Sequence, residues 1–257
     1  MTYEVIMKIL AALVLAAFIL SSSAFVRASD FHVMTEHYPP YSYLENGKPT
    51  GLFVELFRMI EDKLGQPSAK IYFYPWARAY ITLKKNRGEV LFPMALNEDR
   101  KKLFKFVGPV FLTDIYFYKK KGSPLRLSRV EDAKKIGRIG VTRDDLFHHK
   151  LANMGFTNLD VSTSQRSDFF KVQRERVDFV PMGERTIGPF LKGIPELDTD
   201  DFEQVGPVLF ESSAYIAFSS TTPDSVIRKW QMALDELKEE GEWVRVLDKY
   251  FPPDQVH

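Results

Sequence analysis

Val107-Gly108-Pro109-Val110-Phe111 returns 98 residues later, little changed, as Val205-Gly206-Pro207-Val208-Leu209-Phe210. Each copy follows a phenylalanine-containing polar segment and leads into an aromatic run, Ile115-Tyr116-Phe117-Tyr118 in one case and Tyr215-Ile216-Ala217-Phe218 in the other. Proline fixes φ and biases the residue before it away from helix, so both segments read as extended. A matched pair of extended segments bracketing the middle of a chain predicts two passages between two lobes. Lobes joined twice in this way close like a jaw on something small.

The flanking sequence fills in those lobes. Before the first copy, 31–35 alternates as a strand, and Asn46-Gly47 marks a tight turn. From 52 to 64 the apolar residues fall on one helical face, and Gly65 ends the run. A strand at 70–74, a helix at 76–85 entered from Pro75 and a strand at 90–96 complete a β-α-β-α-β order, which implies a parallel sheet. Between the copies the theme repeats: strand 138–141, helix 144–154, strand 159–161, helix 167–174, strand 177–182. After the second copy, Thr222 is placed to cap a helix over 223–239, Gly241 breaks it, and Trp243, Val244, Leu247, Tyr250 and Phe251 face one way on a last short helix. The predicted class is therefore α/β. Each lobe is a mostly parallel sheet flanked by helices, with 29–113 and 210–257 in the first lobe and 114–209 in the second.

A chain of 257 residues holds one large or two modest cores, and 45% apolar with 27% charged residues is ordinary globular composition. A formal charge of +1 lacks the basic footprint that nucleic-acid binding requires. Lys119-Lys120-Lys121 reads as a solvated turn. Lys8, the apolar run 9–20 and the small residues 21–28 read as a secretory signal, cleaved at Val26-Arg27-Ala28 or at Ser22-Ser23-Ala24. Its removal near Ala28 leaves 33 basic and 33 acidic residues. Cysteine is absent, which excludes disulfides, thiol catalysis and a lipidated cysteine. A freely diffusing, monomeric periplasmic protein is expected.

Signatures of catalysis are few. The five histidines, His32, His37, His148, His149 and His257, form no His-Glu-x-x-His. His148 and His149 are neighbours on a predicted helix and diverge by about 100°, an arrangement unsuited to joint ligation. No Gly-x-Ser-x-Gly elbow or phosphate-cradling loop is present, and no metal or cofactor is expected.

Several motifs in fixed order resemble a known family. They are Tyr38-Pro39-Pro40-Tyr41, Gly51-Leu52-Phe53-Val54-Glu55-Leu56, Pro75-Trp76-Ala77-Arg78-Ala79, Asn97-Glu98-Asp99-Arg100-Lys101-Lys102 and Phe104-Lys105-Phe106 before Gly108-Pro109. Over 30–252 the chain is similar to family 3 of the bacterial extracellular solute-binding proteins, the amino-acid receptors of ABC importers. The resemblance implies two α/β lobes, a small ligand between them and a permease as partner. It makes Arg100 the fork for a ligand carboxylate, because guanidinium pairs bidentately and stays charged when desolvated. It sets Tyr38 against the ligand, with Glu36 beside it for a cationic group, and Trp76 and Arg78 at a strand end facing the same crevice.

The second lobe departs from the family pattern. Where the family has a small Ser/Thr-Gly-Thr turn, this chain has Gly140-Val141-Thr142-Arg143-Asp144-Asp145; Thr142 and Arg143 are left to hold an anion, and Asp144 or Asp145 to cap a helix. Ala95 replaces a hydroxyl residue, and Gly183 falls where the family places an aspartate for the α-amino group, with Glu184 next to it as substitute. Two other readings follow from the same resemblance. One is a cyclohexadienyl-type dehydratase with Glu184 as catalytic acid. The other is a ligand-sensing domain acting through a membrane receptor.

Overall fold

The computed structural model describes residues 31–85 and 87–251; the expected leader at 1–28 lies outside them. Strands β1 (His32–Thr35), β4 (Ile71–Phe73) and β5 (Glu89–Ala95) pair in parallel, with β1 in the centre. The hairpin β2 (Tyr43–Glu45) and β3 (Lys48–Thr50) turns at Asn46-Gly47. Helices α1 (Leu52–Lys63) and α2 (Trp76–Lys85) are the crossovers, and α3 (Glu98–Leu103) follows β5. The interior of α1 is strongly apolar on one side, with Leu52, Phe53, Leu56, Phe57 and Ile60 fully buried. Gly51 before it has φ +121, and a Cβ there would come within 2.6 Å of the Tyr41 carbonyl, so only glycine lets the chain pass.

The two repeated segments are parts of much longer strands. β6 (Phe104–Lys120) runs out of the first lobe into the second. The second lobe holds β7 (Ile139–Thr142), α4 (Leu146–Asn153), β8 (Leu159–Ser162), α5 (Gln165–Gln173), β9 (Val180–Gly183) and α6 (Glu184–Lys192). β10 (Phe202–Ser219) then runs back, antiparallel to β6 along its length, from Phe202 opposite Lys120 to Ser219 opposite Phe104. One six-stranded sheet, β4-β1-β5-β10-β6-β9, therefore threads both lobes, and β7 and β8 form a parallel pair beside it. Each Gly-Pro is an interruption in its own strand. The register between β6 and β10 shifts once around 206–209 and once around 108–110. Gly108 has φ +148, and a Cβ there would lie 2.5 Å from the Tyr215 ring.

Apolar side chains gather on either side of the double passage. The first lobe packs Phe53, Phe57, Phe92, Phe218 and Trp230 together; the second packs Phe117, Phe156 and Phe179 in one cluster and Phe169, Phe190 and Phe202 in another. After β10, α7 (Asp224–Glu239) and α8 (Glu242–Tyr250) lie on the first lobe, where Phe251 stacks on Phe111 at 4.7 Å.

Some local expectations change. Helix α4 starts at Leu146 because Asp145 caps it, its side chain accepting from His148 N at 2.7 Å. Helix α5 starts two residues earlier than predicted, capped by Ser164. Thr222 does not cap α7: Pro223 holds that position, and Thr222 gives its carbonyl to Lys105 Nζ at 2.7 Å. Helix α6 has no counterpart in the sequence reading. Lys119 belongs to no solvated turn; it is buried, with Nζ 2.8 Å from Glu203. Among the described residues no helix is long and apolar enough to cross a membrane.

Candidate functional site

The cleft between the lobes is ringed by residues that follow the carboxyl ends of strands, where open α/β sheets present their ligand sites. It encloses about 760 Å³ of empty space, solvent at the mouth included. Glu36 and Tyr38 follow β1, Trp76 follows β4, and Ala95 and Arg100 come at the end of β5; Thr142 closes β7 and Asp145 follows it, Gln165 follows β8 and Gly183 closes β9. Thr113 and Ser212 enter from the two long strands.

Arg100 reaches the cleft because Asn97 caps α3, accepting from Arg100 N at 2.8 Å and turning the third residue of the helix inward. The side chain is 2% exposed. Its guanidinium lies over Trp76 at 5.2 Å and Tyr80 at 5.5 Å, and donates to the Ala95 carbonyl at 2.8 Å and the Asp144 carbonyl at 3.3 Å. Two of its donors are thus already held by main chain.

Acids sit close by. Burial, and secondarily the charge of Asp145, push the Glu36 carboxyl up to about 8, with Arg100 pulling the other way. Burial likewise pushes Asp145 up to about 7 despite the backbone donors at the start of α4. Asp145 Oδ2 and Gln165 Oε1 are buried without a hydrogen-bond donor. Thr142 lines the cleft, yet its hydroxyl is committed to Asp168 Oδ2 at 2.8 Å.

The lobes touch across the cleft at several points. Trp76 Nε1 donates to the Asp144 carbonyl at 3.0 Å, and Tyr41 Oη shares a hydrogen bond of 2.7 Å with Thr186 Oγ1. The Tyr38 hydroxyl points to Met182 Sδ at 3.5 Å, and its ring meets Phe190 edge-on at 5.6 Å. This is a closed arrangement.

Of the eight residues expected at the ligand, Arg100, Tyr38, Trp76, Glu36 and Thr142 line the cleft. Three do not. Arg78 is exposed, its guanidinium over the Tyr74 ring at 4.6 Å, because α2 turns that side outward while Trp76 faces in. Arg143 is exposed beside the turn before α4. Glu184 lines a separate hollow with Arg185, Glu211 and Lys238, because the start of α6 points it away from Gly183. It does not substitute for a carboxylate at Gly183, where a side chain would have to displace two threonines. A Cβ on Gly183 would stand 2.9 Å from Thr186 Oγ1 and 3.0 Å from Thr113 Oγ1. The sequence reading missed Asp145 as a cleft residue, seeing only a possible cap. It missed Gln165, Thr113, Thr186 and Ser212 entirely; a polar residue just past a strand end was the available signal for Gln165.

Comparison with known proteins agrees with this geometry. The chain matches bacterial extracellular solute-binding proteins, family 3, over residues 32–253. A histidine kinase sensor domain with similarity to periplasmic binding proteins superposes with TM-score 0.76 at 21% identity, covering 86% of this chain and 95% of that one. The P235GK mutant of ArgBP from T. maritima gives 0.73 at 22% identity, covering 85% and 93%. An ancestral arginine-binding protein bound to arginine gives 0.72 at 25% identity, covering 85% and 96%. No curated protein sequence matches significantly. With the matched region spanning nearly all the described residues, two lobes joined by paired strands and a polar cleft between them, the chain belongs to family 3 of the bacterial extracellular solute-binding proteins.

Proposed function

We propose that the mature protein closes its lobes on a small cationic solute, an amino acid with a basic side chain or a related amine, and delivers it to the permease of an ABC importer. One observation carries this reading: the unsatisfied buried atoms of the cleft are acceptors. Asp145 Oδ2 and Gln165 Oε1 lack donors, while Arg100 already gives two N–H groups to carbonyls. A buried polar atom without a partner costs about 1–3 kcal/mol, which a solute carrying N–H groups would recover. Burial in the closed, empty cleft raises the Glu36 carboxyl to about 8, so it holds its proton at neutral pH, and a cation beside it would let it ionise. The remaining donors of Arg100 suit the carboxylate of an amino acid, and the rings of Tyr38 and Trp76 suit a cation passing between them. An arginine-bound relative at 25% identity supports the same solute class.

The receptor acts as a monomer after cleavage near Ala28, in this reading. The first lobe takes 29–113 and 210–257 and the second 114–209, with Phe210 at the return boundary packed against the second-lobe core. The dehydratase alternative loses its acid, since Glu184 faces the other hollow.

Melting temperature in the presence of solutes tests the proposal, because a ligand that binds only the native state raises it by mass action. Arginine, lysine, agmatine and putrescine are expected to stabilise the protein; glutamate, glutamine and citrate are not. Agmatine against arginine shows what the carboxylate adds. Stabilisation by the acids and not by the cations would overturn the reading.

A further inference from the structure

At the lip of the cleft, apart from the solute-facing atoms, three ligating side chains converge. Asp144 precedes α4 with φ +60, and His148 and His149 follow in the first turns of the helix. One ligand atom from each lies within 4.8 Å of the other two. The imidazole rings stand 5.4 Å apart and 33° from parallel, and His149 Nε2 is 3.7 Å from Asp144 Oδ1. Helical geometry separates neighbouring side chains by about 100°, which argued against joint ligation. That angle is overcome here because the left-handed turn carries Asp144 back over the helix start, where both rings reach it.

We propose that Asp144, His148 and His149 form a binding site for a divalent transition-metal ion. Two imidazoles and one carboxylate are the donor set of zinc, nickel, cobalt and copper; magnesium and calcium prefer oxygen alone. Three protein ligands leave coordination positions open to water, and side-chain exposures of 43% for Asp144 and 45% for His149 leave the site accessible and exchangeable. The contact from Asp144 N to His148 Nδ1, at 3.3 Å, is long enough to be surrendered if that nitrogen becomes the ligand. The carbonyl of the same Asp144 is held by Trp76 and Arg100, so an ion there would stiffen the piece of second-lobe backbone that the first lobe grips.

Calorimetric titration of the tag-free mature protein with nickel, zinc and magnesium tests this. One nickel or zinc ion per molecule should bind, with magnesium far weaker. The double variant H148Q/H149Q should lose about tenfold or more in affinity. D144G should weaken binding as well, and it keeps the fold because glycine suits that backbone angle. Absence of binding, affinity unchanged in H148Q/H149Q, which would move the ion to His32, His37 or His257, or magnesium binding as tightly as zinc would each overturn the assignment.

Discussion

The indole Nε1 of Trp76 donates to the main-chain carbonyl of Asp144 at 3.0 Å, fastening the first lobe to the turn that opens α4 in the second. The bond exists only while the lobes are closed, so it weighs on the closure equilibrium and not on the fold of either lobe. W76F keeps a ring beneath Arg100, removes the donor and gives up part of the indole's area. A hydrogen bond of this kind contributes about 1 kcal/mol, so the closed fraction should fall roughly fivefold relative to open. The chain has no cysteine, so dyes on cysteines introduced at exposed Lys85 and Lys135 report the two states without interference. An unchanged energy-transfer distribution in W76F would show that the bond does not govern closure.

Gly183 offers a second handle on closure. Its neighbours Thr186 and Thr113 leave no room for a side chain, and Thr186 is the partner of Tyr41 across the cleft. G183A should force Thr186 aside, break that bond and cost the closed state about 1–3 kcal/mol. Solute affinity should drop while the melting temperature of the empty protein changes little. Wild-type affinity in G183A would mean the threonines yield freely.

Much of the fold was legible because hydrophobic period and turn chemistry agree over the first lobe. The alternation at β1, the apolar face of α1 and the strand before α2 each point one way. The repeated Val-Gly-Pro correctly announced two passages, but not that each proline would sit inside a strand of 17 or 18 residues. Period-two reasoning stops at Gly-Pro, whereas β6 and β10 absorb it as a shift in register. Helix α6 stayed hidden for a related reason: Gly188 and Pro189 look like loop punctuation, yet the helix forms around Pro189 by burying Ile187, Phe190 and Leu191. At the site, family pattern located Arg100, whose burial no local rule would suggest among Glu98, Asp99, Lys101 and Lys102. The outward turn of Arg78 and Glu184 depends on helix rotation of a single residue, which sequence spacing near a helix start does not fix.

Trp230 is the centre of the first-lobe core. It is fully buried and meets Phe57 at 4.8 Å, Phe218 at 5.3 Å and Phe31 at 6.4 Å. W230A should cost about 3–5 kcal/mol, seen as a lower urea midpoint with the slope preserved. The second lobe has its own clusters, so a biphasic transition in the variant would report the first lobe melting alone. A loss below about 1 kcal/mol would place the core elsewhere.

Glu36 makes closure of the empty cleft depend on pH. Freed into water when the lobes part, its carboxyl should return to the ordinary value of 4.5; closed and empty, burial and Asp145 raise it to about 8 against the pull of Arg100. Closing therefore takes up a proton within that window. The sign follows: the closed empty state is fully favoured below about pH 4.5 and loses ground as pH rises towards 8, by up to about tenfold per unit for this one group. A cation beside Glu36 supplies the missing charge, so the cation-loaded protein should close with little dependence on pH. E36Q carries no charge to lose; in the empty protein its slope should be smaller than wild type by as much as one proton, and its affinity for arginine should fall. The same cysteine-labelled protein, followed from pH 5 to pH 9, measures all three. A closed fraction that grows with pH, or an E36Q slope equal to the wild-type slope, would remove Glu36 from the account of closure and with it the cation that Glu36 is proposed to meet.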